Sequence, residues 1–307
     1  MKTSPPAGQV LRGTVHLEGF GLHTGSAAIL DIEPAAQGRG RVFIRDDLPG
    51  RPEITAGIAQ VHHRQQCTGL RQGKAEVLTV EHLLAALAGL GIWDAIIRLS
   101  GPELPILDGS AAPFVEALLR AGLRPGSIPS SFFKLMHPVQ VQQDDSWIRL
   151  EPASSLELDG HLEFEHIMLQ DQRFSFVFGQ DDFARELAPA RTFGFLKDEE
   201  RLRKAGLAKG ASLENAVVID DFSILNPEGL RFANEFARHK VLDLLGDLSL
   251  LGKPLLAKVK SHKAGHGLHH DLIRKLSSES QEHKIVQMDQ MSNDPLLMVC
   301  PPELHRA

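Results

Sequence analysis

A run of turn-forming residues, Arg124-Pro125-Gly126-Ser127-Ile128-Pro129-Ser130-Ser131, interrupts the periodic pattern of the chain and divides it into two parts of comparable folding size. Proline fixes φ and removes a backbone donor, while glycine admits positive φ, so such a stretch disfavours both helix and sheet. The 307 residues are length enough for about two domains, each with its own core. The sequence therefore predicts one unit over residues 1–124, a second over 132–278 and a C-terminal tail over 279–307. The tail is polar and proline-containing, and its end, 298–307, is expected to be loosely held.

In the first part, 27–32 and 41–44 read as strands, 80–90 as a helix, 93–99 as a strand and 111–121 as a second helix. Thr79 is placed to cap the first helix and Gly89 or Gly91 to end it, and Gly122 stops the second. In the second part strands are expected at 132–141, 147–150, 156–164, 174–178 and 215–220. Helices are expected near 198–205 and 230–251, with a last one after Gly267. Interleaved strands and helices joined by short connections predict an α+β fold built as two layered units.

Composition narrows the function. A formal net charge of −6 gives no general attraction to nucleic acid or anionic lipid, so an anionic ligand must meet a local basic site. Only two cysteines, Cys67 and Cys300, occur, which excludes a disulfide framework and fits a reducing, cytoplasmic setting. No apolar stretch follows Lys2, and the richest apolar run, 83–93, is too short to span a bilayer. Fifteen histidines, scattered rather than in one tract, direct attention to metal ligands.

Three segments carry chemistry. In the predicted helix 230–251, His239, Asp243 and Asp247 recur at i, i+4 and i+8 and so stack along one face, with Ala237, Val241, Leu244 and Leu248 elsewhere. An imidazole and a carboxylate one turn apart can share a metal, although a solvated face salt-bridged to Lys240 gives the same pattern. Glu81-His82 opens the first-part helix, where the helix dipole favours the neutral, metal-binding imidazole. Adjacent residues point about 100° apart on a helix, so Glu81 cannot share His82's ligand direction but can reach a water beside the same metal. Equally, Glu81 suits a helix N-terminus and His82 a hydrogen-bonded core position. Finally, His266 stands between Gly265 and Gly267 just before a helix, a setting open to a catalytic loop histidine or a plain turn. The loop Gly19-Phe20-Gly21-Leu22-His23-Thr24-Gly25 is only weakly similar to a phosphate-cradling glycine loop.

Taken together, these segments resemble the UDP-3-O-acyl-N-acetylglucosamine deacetylase (LpxC) family. The resemblance runs in family order through 19–25, Val80-Glu81-His82-Leu83, 104–111, Ala190-Arg191-Thr192-Phe193-Gly194-Phe195, 226–231, 238–248 and Gly265-His266, and covers about 9–278. It implies two α+β domains of related topology packed face to face, each with a small insert. It also implies one catalytic Zn2+ per chain held by His82, His239 and Asp243, with a fourth position left for water. By the same resemblance Glu81 is the general base, His266 the general acid or electrostatic partner supported by Asp247, and Thr192 and Lys240 contact the reacting group or substrate. Leu22, His23 and Phe193 are expected to touch the substrate, and Leu196, Leu202, Leu207 and Val218 to line a passage for its acyl chain. The implied substrate is an acylated UDP-amino sugar in lipid A biosynthesis, handled by a cytoplasmic monomer with at most transient approach to a membrane and no nucleic-acid partner.

Two positions depart from the family pattern. Glu199 stands where an apolar residue is usual, and a carboxylate inside a lipid passage is costly unless it faces water. His269 stands where asparagine is usual, one turn beyond His266. Two rival readings use the same residues. Two histidines and a carboxylate also form the facial triad of a non-haem iron oxygenase, and a catalytically dead sugar-nucleotide binder would keep the fold but lack a chemical group.

Overall fold

The computed structural model describes residues 8–63, 66–126, 131–166, 169–278 and 283–287. It is mixed α+β, with two main sheets. Five strands form the first, in the order Val15–Phe20, Ala27–Pro34, Ala95–Ser100, Arg41–Arg45 and Glu53–Thr55. All neighbours are antiparallel except Arg41–Arg45, which runs parallel to Ala95–Ser100. Strand Ala95–Ser100 alternates buried and half-buried residues, as expected for a strand with only one face against the core.

The second sheet is organised around Leu255–His262, a strand that the sequence reading did not anticipate. Ser146–Pro152 pairs antiparallel along one of its edges. Leu156–Leu162 pairs with it in parallel along the other edge, and Ser131–Leu135 pairs in parallel with its first residues, Leu255 and Leu256. The run expected at 132–141 is two strands, Ser131–Leu135 and Val139–Gln143. Pro138 lies in the break, where a missing N–H cannot serve a ladder. Within the expected tail, His283–Gln287 pairs antiparallel with Ser131–Leu135; residues 288–307, including the end expected to be loose, lie outside the described residues. The expected break also begins late: Leu123–Pro125 is a strand paired with Gln9–Leu11, and 127–130 lie outside the described residues.

Five α-helices are described: α1 Glu81–Gly89, α2 Ala112–Ala121, α3 Glu199–Lys204, α4 Glu235–Leu248 and α5 His266–Ser278. Every residue of α1 from Glu81 to Ala88 is buried, because α2 packs on it and α4 crosses it. Thr79 does not cap α1. Its φ is 57°, and its hydroxyl donates to Glu103 at 2.7 Å instead. Helix α4 begins at Glu235 rather than near residue 230, because 226–229 form a turn and the Glu235 carboxylate accepts from the backbone N–H groups of Arg191 and Arg231. Besides the Gln9–Leu11 and Leu123–Pro125 pair, two further small sheets are described, one over Val61–His63, Thr68–Gln72 and Ala75–Val77, the other pairing Phe193–Phe195 with Val217–Ile219. Among the described residues no helix is long and apolar enough to cross a membrane.

Candidate active site

The crossing of α1 over α4 builds the site. Gly246 faces the Glu81 carbonyl across this contact: an added Cβ would lie 2.1 Å from that oxygen, so only glycine permits the approach. The i, i+4, i+8 face of α4 is thereby buried under the first turn of α1, and the solvated-face reading of that stripe does not hold. His239, Asp243 and Asp247 are each at most 2% exposed, and Glu81 and His82 are 3% and 4% exposed.

Buried polar side chains demand partners, and here the unmet demand is specific. Asp243 Oδ1 has no hydrogen-bond partner. It stands 3.6 Å from His82 Nε2 and 3.4 Å from His239 Nε2. His239 Nδ1 lies 3.1 Å from the Ala190 carbonyl. A carbonyl can only accept, so Nδ1 carries the proton and Nε2 presents its lone pair. Burial depresses the His239 pKa to about 3, which keeps the ring neutral. Burial opposes charge on Asp243, yet its interactions with His239, the Lys240 ammonium and His82 hold its carboxyl well below the usual range. Ligand atoms of His82, His239 and Asp243 lie within 4.8 Å of one another. Two imidazoles converging on the orphaned oxygen of one carboxylate fit a divalent cation of the zinc or iron type.

Two titratable groups, Glu81 and His266, flank this cradle. Glu81 accepts the Thr68 N–H on Oε2 at 3.0 Å, and burial raises its pKa. Its Oε1 lies 3.9 Å from His266 Nε2, which is equally far from Asp243 Oδ2. His266 Nδ1 donates to Asp247 Oδ2 at 2.7 Å. Burial alone would lower the His266 pKa, but the Asp247 charge and hydrogen bond, with Asp243 and Glu81 behind them, raise it to about 9. Lys240 reaches Asp243 Oδ2 at 2.9 Å.

A cavity of about 680 Å3 opens from this cluster. Leu22, His23, Thr192, Phe193, Leu196, Leu202, Val218 and Lys240 line it, together with Glu81, His82, His239, Asp243 and His266. Leu207 does not; its N–H instead closes the turn after α3 on the Leu202 carbonyl. Asp247 lies behind His266 and does not line the cavity. Thr192 is held by its N–H to the Gly109 carbonyl at 2.8 Å, and Gly109 adopts φ 83° beneath Asn215, where a Cβ would fall 2.0 Å from the Asn215 carbonyl oxygen. Glu199 lines the cavity from an exposed position and pairs with Arg203 at 2.9 Å, so its carboxylate remains solvated where the cavity meets solvent.

The loop 19–25 joins two antiparallel strands and leads into no helix, so it is not a phosphate loop. Its anchor is Glu103, which accepts the His23 and Thr24 N–H groups at 2.9 and 2.7 Å. His23 is thereby held at the cavity wall, 6% exposed, with both ring nitrogens unpartnered. Sequence reasoning missed Glu103 and Thr68, although Glu103 adjoins the 104–111 segment. Thr68 donates to Asp247 Oδ1 at 2.6 Å and carries no signal of its own in the sequence.

An α+β fold with a candidate His/His/Asp metal cradle between a buried carboxylate and an Asp-paired imidazole offers the side chains that metal-assisted hydrolysis needs. The family model described as LpxC, UDP-3-O-acyl N-acetylglycosamine deacetylase, matches residues 9–278. A protein named UDP-3-O-acyl-N-acetylglucosamine deacetylase from Myxococcus xanthus (strain DK1622) is 44% identical over 286 residues, covering 93% of this chain and 91% of the relative. Proteins of the same name from Legionella pneumophila (strain Corby) and Psychrobacter arcticus (strain DSM 17307 / VKM B-2377 / 273-4) are 43% and 41% identical, with 85% and 94% of this chain covered and 87% and 91% of theirs. The chain belongs to the LpxC family.

Proposed function

We propose that this chain is a Zn2+-dependent hydrolase that removes the N-acetyl group from a UDP-3-O-acyl-N-acetylglucosamine, a step in lipid A biosynthesis, and that it works in the cytoplasm as a monomer. The orphaned Asp243 Oδ1 between His82 Nε2 and His239 Nε2, opening onto a partly apolar cavity, is the observation that carries this reading. The names of the relatives supply the substrate. On the same reading the chain comprises two α+β units, 1–124 and 132–278, that face one another across the α1–α4 crossing, with a C-terminal tail from 279.

Bound by His82, His239 and Asp243, the ion would supply Lewis-acid polarisation of the amide carbonyl and make water a competent nucleophile near neutral pH. Glu81 Oε1 takes the proton of the attacking water, because its other oxygen is already occupied by the Thr68 N–H. The Thr192 hydroxyl, which lines the same cavity, donates to the tetrahedral oxyanion. His266, protonated through its pairing with Asp247, gives its Nε2 proton to the departing amine. The C–N bond then breaks to acetic acid and a free glucosamine amine, the acid's remaining proton passes to the amine to leave acetate and ammonium, and the proton gained by Glu81 restores His266. The apolar surface of Phe193, Leu196, Leu202 and Val218 takes the acyl chain, whose burial contributes about 0.8 kcal/mol per methylene. Lys240 and His23 provide the polar contacts at the sugar end.

The experiment is incubation of the purified, metal-analysed protein with the acylated UDP-N-acetylglucosamine under anaerobic conditions, followed by mass spectrometry. Loss of one acetyl group is the expected result. Unchanged substrate on fully metal-loaded protein would favour a binding protein, and turnover that requires oxygen and iron would favour an oxygenase.

A further inference from the structure

We propose that His269 is a positioning residue: its Nδ1–H locks the Asp247 carboxylate so that one oxygen is presented to His266, and it acts on the reaction only through that pair. The inference rests on the deacetylase reading for its kinetic consequence, but its geometric core stands apart from it.

Asp247 is fully buried, and both of its oxygens are committed. Oδ1 accepts the Thr68 hydroxyl at 2.6 Å. Oδ2 lies 2.7 Å from His266 Nδ1 and 2.7 Å from His269 Nδ1. The two rings stand at 78° with centroids 5.8 Å apart, so they meet the same oxygen from different directions. Rotation of the carboxylate about its Cβ–Cγ bond would break these bonds together, whereas with Thr68 and His266 alone a rotation could follow His266. Both histidines lie on one face of α5, at i and i+3. His269 is also tied by its N–H to the Gly265 carbonyl at 3.1 Å. His270 adds a brace from behind, with Nε2 3.1 Å from the Thr68 hydroxyl.

The far side of the His269 ring decides its proton state. Nε2 is buried and has no partner, and the residue is 1% exposed. An imidazolium there would bury an N–H donor without an acceptor, a cost that the neutral Nδ1–H tautomer avoids. Burial accordingly lowers the His269 pKa. One carboxylate is thus shared unequally: His269 gives it a neutral hydrogen bond and leaves the positive charge to His266, whose Nε2 faces the cavity.

Two amide substitutions test this. Asparagine places its amide nitrogen where the ring has Nδ1, and glutamine places it where the ring has Nε2. His269→Asn is expected to preserve kcat, whereas His269→Gln lowers kcat about 10- to 100-fold, the usual cost of losing a second-layer partner, with KM and metal content unchanged. In an Asp247→Ala background the difference between the two should vanish. Ring-nitrogen NMR of the metal-loaded wild-type protein should show His269 as the neutral Nδ1–H tautomer, a readout independent of variant folding and of turnover. Gln as active as Asn, an equal loss in both, a difference that persists without Asp247, or an Nε2–H tautomer would each overturn the inference. A wild-type protein that leaves the acetyl group in place would instead overturn the deacetylase reading, and the tautomer measurement would still decide the geometry.

Discussion

Gly246 on α4 touches the Glu81 carbonyl on α1 so closely that any side chain there must part the two helices. That contact sets the separation between Glu81 and His82 on one helix and His239, Asp243 and Asp247 on the other. Gly246→Ala should destabilise the protein by about 1–3 kcal/mol, as for an overpacked core position, and should weaken metal retention as well. Urea unfolding together with metal analysis checks both. An unchanged midpoint with full metal content would mean that the crossing adjusts without disturbing the site.

His239→Ala removes a proposed ligand whose lone pair is aimed by its bond to the Ala190 carbonyl. The purified variant should lack its metal, and the wild-type protein stripped with a chelator should regain turnover on addition of Zn2+. Metal content equal to wild type in the variant would exclude His239 from the ligand set.

Glu81→Ala should retain the metal and lose activity by about 10²-fold or more, the scale of a positioned general base. Because the Thr68 N–H loses its acceptor in the same change, Glu81→Gln serves as the companion variant: it can keep that hydrogen bond and should be equally inactive. Near-normal turnover in Glu81→Gln would assign the proton transfer to another group.

Much of the site was legible because helix periodicity converts spacing into placement. The i, i+4, i+8 spacing of His239, Asp243 and Asp247 needed only a helix to become one face, and Glu81-His82 and His266 stood beside helix starts. The spacing could not say that α1 would bury that face, since the decisive contact joins Gly246 to a backbone carbonyl far away in sequence. Thr68, Glu103 and the Ala190 carbonyl were equally hidden, because each acts through a long-range hydrogen bond that leaves no local pattern. In the fold, the periodic helices were anticipated to within a few residues apart from the start of α4, which a buried ion pair between Arg191 and Glu235 determines. The strand Leu255–His262 was missed, although its last residues alternate buried and half-buried. Its buried opening Leu255-Leu256-Ala257 lacks that alternation, as befits a strand central to its sheet.

The pH dependence of turnover follows from the His266–Asp247 pair. Asp247 and the neighbouring carboxylates outweigh burial and raise the His266 pKa to about 9, above the ordinary imidazole value of about 6.5. A group raised on folding adds stability that is fully present below its unfolded pKa and is lost as pH rises through its folded one. In the metal-free protein His266 should therefore titrate near 9, and this part of the stability should fade between about pH 6.5 and that value. A cation held by Asp243 and the two histidines repels imidazolium, so metal loading should move the titration downward. Turnover should be bell-shaped, with Glu81 contributing to the acidic limb and His266 to the basic one. His266→Gln should lower turnover and flatten the basic limb with the metal in place, and Asp247→Ala should shift that limb to lower pH. Because Glu81, Asp243 and His266 interact, the test is the change in profile shape rather than any single midpoint. A basic limb unchanged in His266→Gln would take the proton-donor role from His266 and leave Lys240, paired with Asp243 at 2.9 Å, as the next candidate.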